Sequence, residues 1–245
     1  MSTNQPDLHT ILQHGQLELK GQFMLGSNYT FLVDVLFSSS SQGAGQEQKL
    51  QAVYKPSKGE QPLWDFPHQT LAHREVAAYL VSQALGWDFV PYTALREDGP
   101  FGPGSIQQYI EYDPNYHYFS FDEEDKARLK PVMLFDLFCN NADRKGSHVI
   151  IEEETRKLWL IDHGLCFHEE DKLRTVIWDY AGGTIPENLL DDLAHLSTPN
   201  LLVDLEPYLS PNEITALITR AEALTASGIY PLPPEDRRAF PYPPL

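Results

Sequence analysis

Two acidic motifs a short distance apart constrain this chain more than any other feature. Asn140-Asn141-Ala142-Asp143-Arg144-Lys145-Gly146-Ser147-His148 is followed, after one strand-turn-strand interval, by Leu160-Ile161-Asp162-His163-Gly164. Val149-Ile150-Ile151 and Lys157-Leu158-Trp159-Leu160-Ile161 are apolar runs rich in β-branched residues, and they flank the charged stretch Glu152 to Arg156, the pattern of a short hairpin. A hairpin returns the chain to its starting end, so Asp143 and Asp162 are expected to face one cleft. Two such carboxylates suit phosphoryl transfer, whose transition state is stabilised mainly by positioning and charge. Asp143 would orient an acceptor hydroxyl, and Asp162 would hold a metal that bridges phosphates.

The upstream half supplies candidates for the phosphates. Leu50-Gln51-Ala52-Val53-Tyr54-Lys55-Pro56 alternates apolar and polar residues and ends at a proline, which marks a strand with Lys55 at its end. Leu71 to Leu85 has helical spacing, with Thr70 as N-cap and Gly86 as stop, and it carries Glu75 where Lys55 can pair with it. Ahead of both, Leu17 to Val35 reads as two strands joined at Gly26-Ser27-Asn28, small residues that let backbone amides approach phosphate oxygens.

The order of glycine-bearing hairpin, Lys55, Glu75, Asp143 and Asp162 resembles the atypical kinases related to phosphatidylinositol 3- and 4-kinases. More narrowly, VYKP, PLWDFP, HREVAAYLVSQALGW, GPGSIQQYI, NNADRKGSH, LWLIDHGLCFH and KLRTVIWDYAG resemble a group of bacterial proteins described as phosphatidylinositol-kinase-like, over roughly residues 15 to 225. The resemblance implies an α+β, two-lobed protein-kinase-like fold with a β-rich N-lobe and a mainly helical C-lobe, using ATP and Mg2+ or Mn2+. It implies that Lys55 grips the phosphates with Glu75 positioning it, that Lys145 adds charge at the γ-phosphate, and that Gln108, Tyr109, Ile110 and Glu111 meet the adenine edge. The fifth residue after the catalytic aspartate is a metal-binding asparagine in the lipid kinases and His148 here. A nitrogen at that position is expected to act as a metal ligand and to favour manganese over magnesium.

Charge narrows the substrate. With 18 basic and 35 acidic residues the net charge is −17, which works against nucleic acid and anionic lipid surfaces, and so against a phosphoinositide acceptor. A protein or small-molecule hydroxyl is the expected acceptor. Cys139 and Cys166 form no disulfide framework, the N-terminal residues lack a signal-peptide pattern, and no run reaches membrane-spanning length. A cytoplasmic protein without membrane insertion is expected.

The organisation reads as an N-terminal extension (1–14), an N-lobe (15–112), a C-lobe (113–228) and a proline-rich tail (229–245) laid over the surface as a strap. A polar low-complexity stretch, 38–49, separates the second and third strands; Pro91 to Leu95 and Ser105 to Ile110 complete five. Glu111-Tyr112-Asp113-Pro114 is the expected hinge. Glu123 to Cys139 reads as a helix interrupted or begun at Pro131, with Asp136 facing Arg144, and Glu187 to Leu196 and Asn212 to Ala226 are packing helices. The expected function is a phosphotransferase; a nucleotide-binding pseudokinase module and an AMP transferase are the alternatives.

Overall fold

The computed structural model describes residues 7–23, 28–38 and 47–245. The chain divides into two compact units, the first made of 1–76 and 91–110, the second of 77–90 and 111–245.

The first unit is built on a five-stranded antiparallel sheet. Its strands are β1 (Gln16–Gln22), β2 (Phe31–Ser38), β3 (Glu47–Pro56), β4 (Thr93–Gly99) and β5 (Gly102–Gln108), in the order β1-β2-β3-β5-β4. The fourth and fifth strands start and stop a few residues from the expected bounds because they form a hairpin that turns at Gly99–Gly102. Gly102 lies at φ 97°, a conformation that glycine reaches without a Cβ penalty. β2 and β3 pair from Phe31↔Tyr54 out to Ser38↔Glu47, so both ends of the polar stretch belong to strands. Residues 39–46 lie outside the described residues.

Alternation along the strands puts Phe31, Val33, Val35, Ala52, Tyr54, Ala94 and Ile106 into one core. Helix α1 (Leu8–His14) closes that core with Leu12, which is fully buried. Asp7 caps α1 by accepting the Thr10 N–H at 2.7 Å. The residues ahead of β1 therefore hold a helix that the sequence pattern did not reveal.

Helix α2 (Leu71–Ala84) carries Glu75, and the division between the units falls after Val76. Thr70 holds the N-cap position, its carbonyl accepting the Arg74 N–H at 3.2 Å, but its side chain does not cap. The Thr70 hydroxyl donates back to Pro67 O at 2.8 Å, while the Glu60 carboxylate accepts the Ala72 N–H at 3.2 Å and so takes the capping role.

In the second unit α3 (Glu123–Ala127) and α4 (Lys130–Cys139) are separate helices, and Pro131 sits in the first turn of α4, where its missing N–H costs nothing. Every residue from Val132 to Cys139 is buried. The short hairpin β6 (Val149–Ile151) and β7 (Leu158–Leu160) forms as expected. Helices α5 (Glu187–Leu193), α6 (Pro199–Leu205) and α7 (Pro211–Ser227) pack with α4 around the second unit's own core. A reciprocal Ser210–Glu213 capping box starts α7, and Gly228 at φ 63° ends it.

Candidate functional site

In the first unit Lys55 stands at the end of β3, one residue before Pro56, and its Nζ lies 2.5 Å from Glu75 Oε1. The carboxylate is almost fully buried and the lysine mostly so, which makes this a charge-assisted bond with a fixed geometry. Gly104 allows the approach of β5 to this strand end: a Cβ there would sit 2.3 Å from Lys55 O. Of the expected phosphate loop, Gly26 and Ser27 lie outside the described residues. Asn28 is described, and its Oδ1 accepts the Gln61 N–H at 2.7 Å. The backbone N–H groups of Gln108 and Tyr109 are committed within this unit, to Tyr92 O at 2.9 Å and Gln51 O at 3.1 Å. Ile110 is buried; the Glu111 carbonyl, in the second unit, accepts the Glu153 N–H.

The second unit builds its acidic cluster from α4 outward. Asn140 ends the helix in the left-handed conformation, φ 54°, and its side chain donates to His168 O and Glu170 O and accepts from Lys172 N. Asn141 next donates to Asp136 Oδ1 at 3.2 Å and accepts the Asp143 N–H at 3.0 Å, which orients the aspartate's backbone. Asp136 and Arg144 are both fully buried and joined through Nε at 3.0 and 3.1 Å, with Thr175 Oγ1 donating to the same carboxylate at 3.0 Å. The Asp136–Arg144 contact is the one the sequence suggested. Asn140, Asn141 and Thr175 are additional positioning residues.

Arg144 then ties the two motifs together. Its NH1 donates to His148 O at 3.2 Å and Ile161 O at 2.9 Å, and its NH2 meets His163 Nε2 at 2.9 Å. A guanidinium only donates, so His163 Nε2 accepts and the ring proton is on Nδ1. The Ile161 N–H returns to His148 O at 3.0 Å. Asp162 follows at φ 61°, unusual for a residue with a side chain and a frequent mark of functional positions.

The Asp143 and Asp162 carboxylates differ in environment. Asp143 lies 3.3 Å from Lys145 Nζ, and its carboxyl is pushed up to about 6: burial raises it first, Lys145 pulls it back, and the negative charge of Asp162 adds to the rise. Asp162 is half exposed, with Oδ2 at 3.3 Å from His148 Nε2. Among the described residues there is no cluster of three or more side chains able to hold a metal ion. Magnesium held on a nucleotide needs only one or two carboxylates beside phosphate oxygens, and Asp162 with Asp143 nearby fits that demand. Cys139 and Cys166 are buried thiols, and burial raises the Cys139 thiol, so both are packing residues.

The tail forms a strap on this unit. Ala239 O accepts the Thr175 N–H at 3.1 Å and the Trp178 indole N–H at 3.3 Å, Arg237 bonds Leu173 O and Asp171, and Pro244 O accepts the Gly146 N–H at 2.8 Å. Arg174 holds the loop through its backbone, exchanging bonds with Asn141 and Arg144.

Protein Rv2133c of Mycobacterium tuberculosis is 36% identical to this chain over 279 aligned positions, covering 98% of this chain and 96% of that protein. The chain belongs to the family of that protein. No family model matches it. Among solved structures it is similar to the Helicobacter pylori proinflammatory kinase CtkA, with TM-score 0.55, 11% identity and coverage of 89% and 94% of the two chains. It is similar to the Golgi casein kinase with Mn/ADP bound, at TM-score 0.56 and 15% identity over 89% and 74%, and to hydra Fam20 with sugar, at 0.52 and 12% over 93% and 91%. The fold is therefore kinase-like and α+β, and its neighbours are of the Fam20 and CtkA type, so a specifically phosphatidylinositol-kinase-related family is not what these likenesses establish. No helix among the described residues is long and apolar enough to cross a membrane.

Proposed function

We propose that this chain is an ATP-dependent phosphotransferase of the atypical kinase class, moving the γ-phosphoryl group to a hydroxyl of a protein or small molecule. The observation that carries the reading is the pairing of Asp143, with Lys145 at 3.3 Å, and Asp162, locked in sequence register by the buried Arg144 clamp. Asp143 accepts the proton of the acceptor hydroxyl; with its carboxyl near 6 it is ionised at neutral pH yet basic enough for that task. Lys145 places positive charge where the transferred group gains negative charge. Lys55, held by Glu75, binds the α- and β-phosphates. Asp162 would hold Mg2+ or Mn2+, which when bound neutralises charge between the phosphates.

A protein of the same fold with Mn/ADP bound is in keeping with a nucleotide and a divalent metal. The motif likeness to phosphatidylinositol 3- and 4-kinases supports membership of that broader class, while the net charge of −17 favours a soluble acceptor and no nucleic-acid partner. Backbone groups within 108–111 remain the proposed adenine contact, with Asn28 and the adjoining Gly26 and Ser27 beside the phosphates. His148, in place of asparagine, favours a second reading, a pseudokinase that binds nucleotide as a regulatory module; transfer of AMP from the same residues is a third.

Nucleotide binding tests the shared premise. ATP with metal at about one hundred times its Kd should raise Tm by about 5–10 °C, from roughly 2.7 kcal/mol of linkage in a chain of this size, and Lys55→Ala should reduce the shift. Absence of any shift with any nucleotide overturns the reading.

A further inference from the structure

We propose that His148 is a positioning residue that aims the Asp162 carboxylate through a hydrogen bond, and does not ligate the metal. The role assigned to Asp162 rests on the phosphotransferase reading; the geometry of the imidazole stands apart from it.

His148 closes the single 3-10 turn Gly146–His148 and is almost buried. Its Nδ1 accepts the Lys145 backbone N–H at 3.4 Å, and the His148 backbone N–H donates to Lys145 O at 3.2 Å, a reciprocal cap that holds the residue against the loop carrying Asp143. Its carbonyl is held as well, by Arg144 and by the Ile161 N–H. The ring therefore has little freedom to turn.

The tautomer follows from these contacts. A ring nitrogen that accepts an N–H carries no proton, and neutral imidazole has only one, so the proton is on Nε2. Nε2 lies 3.3 Å from Asp162 Oδ2 and donates to it. One nitrogen has spent its lone pair on the loop and the other has none to give a metal. Coordination by this ring would require breaking one of the two bonds.

Asp162 benefits from such a partner. Its side chain is 49% exposed, so packing alone does little to set its rotamer, and its backbone sits at φ 61°. A donor on Oδ2 fixes the plane of the carboxylate that would hold the metal of a metal-nucleotide complex. Partners of this kind, one step removed from the metal, change metal affinity or activity by about 10- to 100-fold when removed. The sequence-based expectation that His148 selects manganese is replaced by one in which its removal weakens both metals alike.

Two measurements test this. Long-range 1H–15N correlation spectra of the full chain labelled with 15N-histidine, with His148 identified by its loss in His148→Gln, should show the proton on Nε2 both alone and after addition of Mg2+ and ADP. A proton on Nδ1, or loss of the Nε2 proton when Mg2+ and ADP are added, overturns the proposal. In parallel, His148→Ala should weaken Mg·ADP and Mn·ADP binding by about 10-fold or more with their ratio unchanged, and His148→Gln, whose amide N–H reaches nearly as far as Nε2, should restore most of that loss. A His148→Asn variant whose Mn/Mg preference moves toward magnesium would instead mark a ligand. Wild-type protein that binds neither metal nucleotide sinks the phosphotransferase reading, while the proton position in the protein alone still decides the His148–Asp162 bond.

Discussion

Asp143→Asn is expected to stabilise the folded chain while removing phosphoryl transfer. Burial lifts the Asp143 carboxyl from 3.8 to about 6 in spite of Lys145. Because the folded value lies above the unfolded one, the folded chain keeps a proton that the unfolded chain has already released. This group's contribution to stability therefore falls as pH rises from about 4 to about 6, and the full penalty is present above that window. Two pKa units correspond to about 3 kcal/mol. The side chain keeps 29% of its surface exposed, and solvent screening brings the net to on the order of 1–2 kcal/mol. An asparagine is a neutral stand-in for the protonated acid and escapes the penalty. Thermal unfolding of both proteins across this range should give Asp143→Asn a Tm higher by about 2–8 °C at pH 7.5, shrinking toward nothing near pH 4. Equal stability at every pH, or a less stable variant at pH 7.5, would refute the reasoning.

Three further outcomes are expected. Asp136→Ala strands the fully buried Arg144 charge and should cost about 3–5 kcal/mol in chemical denaturation, against less than 1 kcal/mol if the pair were incidental. Gly104→Ala places a Cβ 2.3 Å from Lys55 O and 2.7 Å from Pro56 Cα, so it should lower stability by about 1–3 kcal/mol and weaken ATP binding, whereas Gly21→Ala, with open space around it, should do neither; calorimetry with ATP separates the two. Sedimentation with anionic vesicles should leave the chain in the supernatant, and robust binding with lipid phosphorylation would overturn the charge argument.

The parts of the fold legible from sequence are those fixed by local pattern. The alternating run into Pro56 and the charged turn between two apolar triplets specify β3 and the β6–β7 hairpin without reference to the rest of the chain. The Lys55–Glu75 and Asp136–Arg144 pairs were readable because each charge sits at a marked place on its element. What escaped depends on distant neighbours. Helix α1 is seven residues long with three apolar side chains, Leu8, Ile11 and Leu12, too short a pattern to mark a helix, and only the sheet's core that they pack against explains it. Glu60 caps α2 from twelve residues away, and Thr175 reaches Asp136 across thirty-nine. Asn140-Asn141 carried a signal that could have been used, since asparagine directly after an apolar helix is a common left-handed stop. The strap's extended course was expected from its prolines, but its bond to Gly146, in the loop that carries Asp143, was not.

The most direct test of phosphotransferase activity is the fate of ATP itself. The wild-type chain is incubated with ATP and Mg2+ or Mn2+, alone and with cell extract, and the nucleotide products are quantified beside the intact mass of the protein. ADP with phosphate on an acceptor, lost by about 100-fold or more in Asp143→Ala with binding spared, and abolished in Asp162→Ala with metal-nucleotide binding weakened, is the expected result. Pyrophosphate with an AMP adduct, bound ATP that is never turned over, or ADP production untouched by Asp143→Ala would contradict it.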